Sequence, residues 1–287
     1  MTTIEQKSIS NYWVTKVKNN PVINSIKAEN GNSKKIQVDT NNLSFFKKLT
    51  SENAIAELTV LITVYTALLQ RYFEVESFIF MSKPTDAETA LLFKSISASG
   101  QSFKDYLGEV KKELQEVYKH SDYDDTLQEK YPFVEYALFG FFYNSKSAYT
   151  KNNFPFSLSV NKNDTELELS LSYDVSFVED HVAAHFLSTY ANWLLQLEHF
   201  MNDSVDQIPV VTPLEKEELL NSFNPSVKKY PTKTLVELFE EQAAKTPIHT
   251  AVIFKEKELT YNELKKQSKK FAQYNRQEYN IKPNYLV

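Results

Sequence analysis

The stretch Phe154–Phe200, FPFSLSVNKNDTELELSLSYDVSFVEDHVAAHFLSTYANWLLQLEHF, changes its apolar period partway along, and that change decides the fold class. Phe156, Leu158 and Val160 alternate with serines, and Leu167, Leu169, Leu171 and Tyr173 alternate with Glu168, Ser170 and Ser172. Such alternation turns one side of each run to a core and the other to water, and the turn-rich NKNDT between the runs predicts an antiparallel hairpin. From Val182 the period becomes helical, with Phe186, Tyr190, Trp193, Leu197 and Phe200 on one stripe. Ser176 and Glu179 have the spacing of a capping box and predict the start of that helix.

Upstream, Ile55, Leu58, Ile62, Tyr65, Leu69 and Tyr72 recur every three or four residues while Val60, Leu61, Val64 and Leu68 fill the other side, which predicts a buried helix over Glu52–Tyr72. Phe103–Lys119 reads as an amphipathic surface helix, with Phe103, Leu107, Val110, Leu114 and Val117 opposite lysines and glutamates. The short aromatic runs Phe78–Met81 and Val134–Tyr143 suit buried strands. Strands and helices follow one another without a regular βαβ repeat, so residues 1–223 are expected to form a layered α+β (mixed α/β) domain. NPSVKKYPTK, residues 224–233, has two prolines, three lysines and no apolar period, and reads as a linker. Beyond it Thr234 with Glu237 predicts a capped helix, AVIF and LTY predict a hairpin, and Thr260 with Glu263 predicts a last helix. This second unit, residues 234–287, is small for a stable core.

Composition narrows the function. The chain of 287 residues has no cysteine, which excludes disulfides and every thiolate-ligated metal site and points to a reducing compartment. Its four glycines spell neither a dinucleotide-binding nor a P-loop signature. A net charge of -5 without a basic stripe argues against nucleic acid as a partner. No leader-like start and no unbroken apolar run of membrane-spanning length is present, so the expectation is a cytoplasmic protein without a membrane partner.

Few residues offer chemistry. His120 and Asp124 spell HxxxD, a pattern in which the imidazole could serve as a base and the aspartate could order it, but the spelling is short enough to arise by chance. His181 and His185 stand four apart on the long helix, a metal-binding spacing, but Val182 replaces the glutamate of HExxH and no third ligand is evident. The glutamates at Glu215–Glu218 and at Glu240 and Glu241 fall in first turns or on exposed helix faces, where a solvated role explains them. No GxSxG elbow and no carrier-type serine motif occurs, and no metal site and no cofactor site is expected.

TLVELFEEQAAKTP, TAVIFKEKELTYNELKKQSKKFA and YNIKPNYLV, within Thr234–Val287, resemble the opening of an adenylation domain of a nonribosomal peptide synthetase, and LTYNEL, Leu259–Leu264, matches that family's first core motif. NYWVTKV, HSDYDDT from His120 to Thr126, FPFSLSV, LELSLSYDVSFVEDHVAAHF and IPVVTPLEKEELLNSFN resemble the second half of a condensation domain in order and spacing. The resemblance implies a chloramphenicol-acetyltransferase-like C-terminal lobe, then a linker, then a partial AMP-binding adenylation segment. It departs from the family in lacking any adjacent histidine pair, hence HHxxxDG, and the motif at His120 lacks its Gln and its Pro-Phe. It also places His120 where the family has a noncatalytic motif. The expected function is therefore a noncatalytic structural part of a synthetase module, inactive alone, in nonribosomal peptide biosynthesis. The alternative is a split condensation enzyme that forms peptide bonds with an N-terminal lobe on another chain. The implied partners are the rest of a module, carrier proteins with their phosphopantetheine arms, or such a lobe.

Overall fold

The computed structural model describes residues 3–18, 31–83, 91–121, 137–144, 154–223 and 232–281. The chain divides into two compact units, Met1–Ser222 and Phe223–Val287. In the first lie α1 (Thr3–Lys18), β1 (Gly31–Asp39), α2 (Ser44–Thr50), α3 (Ala54–Phe73), β2 (Ile79–Lys83), β3 (Leu91–Lys94), α4 (Phe103–Lys119), β4 (Phe139–Tyr143), β5 (Phe156–Lys162), β6 (Glu166–Asp174), α5 (Asp180–Phe200) and α6 (Pro213–Glu217). The second holds α7 (Leu235–Lys245), β7 (Thr250–Phe254), β8 (Lys257–Thr260) and α8 (Tyr261–Tyr279).

Helix α3 is the centre of the first unit. Asn53 starts it by accepting the amides of Ile55 and Ala56 at 3.1 and 3.0 Å, and Glu74, in the left-handed region at φ 53°, ends it. Its threonines would be costly inside a core with free hydroxyls. Thr59, Thr63 and Thr66 instead donate to the carbonyls of Ile55, Thr59 and Ile62, four residues back, at 2.6, 2.7 and 2.9 Å, so the helix can be buried nearly all round. By length and composition α3 could cross a membrane, which the sequence reading did not anticipate, but 72% of its apolar window is buried inside the unit and it is a core helix.

A six-stranded mixed sheet in the order β1-β6-β5-β4-β2-β3 supports α3. The predicted hairpin forms, with Phe156 opposite Tyr173, Leu158 opposite Leu171 and Val160 opposite Leu169. Asn163 shapes its turn by accepting the amides of Thr165 and Glu166 at 3.0 and 2.7 Å. Strands β5, β4 and β2 run parallel, and β1 and β3 close the two edges antiparallel. Aromatic rings join the layers. Phe141 lies 5.2 Å from Tyr65 of α3, and Phe156 meets Phe186 of α5 edge-on at 5.0 Å. Gly140 leaves room for the other side of β4, since a Cβ there would come within 2.8 Å of the Phe154 ring and 3.0 Å of Ser157 Cβ. The serine face of the hairpin is less wet than its alternation implied: Ser157 and Ser172 are buried, and Ser159 and Ser170 are half-buried.

Three local expectations are corrected. The long helix begins at Asp180, and no Ser176–Glu179 capping box forms, because the Ser176 amide and hydroxyl are both taken by Asp174 Oδ1 at 2.8 and 2.6 Å. The strand expected over Val134–Tyr143 spans Phe139–Tyr143, with residues 134–136 outside those described. Helix α4 occupies the predicted span and buries Phe103, Val110, Leu114 and Val117, but Tyr106 joins them where Leu107 was expected.

The second unit has strong local signals and little core. Both predicted capping boxes are present: the Glu237 carboxylate takes the Thr234 amide at 2.7 Å, and the Glu263 carboxylate takes the Thr260 amide at 2.9 Å. These backbone N–H groups, and the threonine hydroxyls beside them, hold both carboxyls below the usual glutamate range. Yet among its described residues Ala243 alone is buried, while Leu235, Ile248, Phe254 and Phe271 are exposed by 86, 83, 68 and 66%. Caps contribute about 1 kcal/mol each, whereas a buried large apolar side chain contributes about 2 kcal/mol, so this unit lacks the larger source of stability. We expect amide hydrogen exchange in residues 235–279 to be faster than in α5 by about a hundredfold or more. Equal protection in the two regions would contradict this account.

Candidate functional site

His120 sits immediately after α4, and its contacts run to α1 and to the last turn of α4 itself. Its ring stacks flat on Tyr12 of α1 at 4.0 Å with an interplanar angle of 8°. Nδ1 meets the Glu116 carbonyl at 2.8 Å, and the His120 carbonyl accepts the Trp13 indole N–H at 2.7 Å. Burial, reinforced by Glu113 and Glu116, pushes the Tyr12 phenol far up, so it is a neutral packing partner. Asp124, the other half of the HxxxD spelling, lies outside the described residues.

His181 and His185 diverge. His181 is exposed and faces Glu179 at 3.3 Å, whereas His185 points inward between Tyr72, at 2.6 Å from Nδ1, and Glu215, at 3.3 Å from Nε2. Among the described residues no group of three or more metal-ligating side chains is found. Glu215, read from sequence as a first-turn charge, does cap α6 through Thr212, and it also reaches His185.

Sequence reasoning missed one buried polar cluster. Glu57, in the first turn of α3, is 3% exposed, accepts the Tyr143 hydroxyl, and receives the Lys162 ammonium at 2.5 Å. The carboxylate is favoured there by the positive end of the helix dipole. Burial and the Glu57 charge both push the Tyr143 phenol up, so it stays a donor. With both donors spent on one carboxylate, the cluster braces the start of α3 against the far ends of β4 and β5. The signal available in sequence was a glutamate inside an otherwise apolar helix, but its partners lie 86 and 105 residues away.

A groove of about 720 Å³ lies between α5 and the chain that follows it, lined by Trp193, Phe200, Ile208, Pro209, Val211 and Leu220. Its exposed lining is mostly apolar, with Asn192, Gln196, His199, Asp203 and Lys216 as polar members.

The six-stranded mixed sheet with its packed helices has the fold of condensation domains, the chloramphenicol-acetyltransferase-like architecture. The starter condensation domain of rhizomide synthetase superposes with a TM-score of 0.56 at 8% identity, covering 72% of this chain and 55% of that one. The nonribosomal peptide synthetase FmoA3, bound to α-methyl-L-serine-AMP, superposes with a TM-score of 0.57 at 12% identity over 95% of this chain and 35% of that one. The sequence matches no family model. It is 25% identical to bacitracin synthase 2 of Bacillus licheniformis over 321 aligned residues, and 28% identical to tyrocidine synthase 2 of Brevibacillus parabrevis over 269. Those alignments cover 96 and 79% of this chain but only 12 and 7% of the relatives. The chain is thus related to the nonribosomal peptide synthetases and spans a small part of their length.

The brace is open to test. Lys162→Met strands the Glu57 carboxylate in the core and is expected to cost about 2–3 kcal/mol, a value reduced for the partial exposure of the lysine. The double variant Glu57→Leu with Lys162→Met is expected to recover most of that loss, since an apolar pair can replace a buried ion pair at little cost. Urea unfolding of the three proteins measures both values. Additive losses in the double variant would show that the two side chains are uncoupled.

Proposed function

We propose that this chain is a noncatalytic structural part of a nonribosomal peptide synthetase module, with the first unit as a condensation C-terminal lobe and the second as the opening of an adenylation domain. The observation that carries this reading is the continuity of one match, since bacitracin synthase 2 aligns over 96% of the chain, across both units and the segment between them. On this reading the first unit is a platform on which neighbouring parts of a module rest, and its partners are the remainder of the module and its carrier proteins.

The chemistry of the described residues supports the noncatalytic half of the proposal. A condensation reaction needs a base near the amine that attacks a thioester. The histidine that the spelling offered, His120, stacks on Tyr12 and commits Nδ1 to a helix carbonyl. The buried carboxylate Glu57 has its oxygens filled by Tyr143 and Lys162. Phosphopantetheine arms on partner carrier proteins would supply the thioesters, and no residue described here is offered as their reactive partner.

The test gives the purified chain aminoacyl- and peptidyl-loaded carrier proteins and follows amide formation by mass spectrometry, with ATP–pyrophosphate exchange run in parallel. Neither product nor exchange above background is expected. Amide formation by the chain alone, lost in His120→Ala, would overturn the reading in favour of an acyltransferase. Amide formation that appears only when a separate condensation N-terminal lobe is added would replace it with the split enzyme.

A further inference from the structure

We draw no further inference here: the strongest candidate, the apolar groove between α5 and the chain that follows it, walled by Trp193, Phe200, Ile208 and Val211, carries nothing, because no observation among the described residues shows what covers it.

Discussion

Helix α3 has almost no face to give to water, and the arrangement of the first unit follows from that constraint. A helix apolar on one stripe can lie on a surface, but one with Leu58, Leu61, Val64, Tyr65, Leu68 and Leu69 all buried must be enclosed. The sheet encloses it from one side through Phe80 and Phe141, while α4 and α5 flank it. Enclosure is tolerable only because each internal polar group finds a partner within reach. The threonine hydroxyls turn back to their own helix, Tyr106 donates to Thr66 at 2.8 Å, and Tyr190 of α5 donates to the Leu61 carbonyl at 3.0 Å. Two groups among the described residues are exceptions: the Ser82 hydroxyl of β2, and the fully buried Tyr65 phenol, surrounded by Phe80, Phe141 and Phe186.

What the sequence made legible depended on how local the determining physics was. Helices α3 and α4 and the β5–β6 hairpin could be read because their periods are long and their turns and caps are chemically distinct. Strand β1 escaped because, in GNSKKIQVD, only Ile36 and Val38 are apolar. It is an edge strand whose Lys34 and Lys35 reach outward to Asp180 and Glu168, and such strands lack the alternation that marks a buried one. Strand β3, LLFK, is four residues long and shows no period at all. Ser176 misled for another reason: a serine three residues before a glutamate can cap a helix, but a nearby aspartate competes for the same hydroxyl and amide.

The polar sites were less legible still, because a side chain reveals its type in sequence and its partner only in space. His185 was read with His181 on spacing along one helix, yet its partners come from α3 and from the first turn of α6. His120 was read with Asp124 as a spelling, while its stacking partner Tyr12 stands at the other end of the unit's sequence. Glu57 could have been singled out as a charge that an apolar helix would not carry unpaired, but nothing local names Tyr143 or Lys162.

The two units solve stability by opposite means, and that difference bears on what the chain can do alone. The first unit commits its His120 and His185 contacts, its buried carboxylate and many of its aromatic rings to holding elements in place. The second has well-formed caps and a two-stranded hairpin, but a hairpin of that size is marginal in water without further burial. Local signals such as Thr234 with Glu237 specify where a helix begins, and they act before any core exists. They cannot supply the burial that fixes one helix against another, because that term scales with apolar area removed from water. The second unit's unmet requirement is therefore apolar burial, since Leu235, Ile248, Phe254 and Phe271 remain exposed.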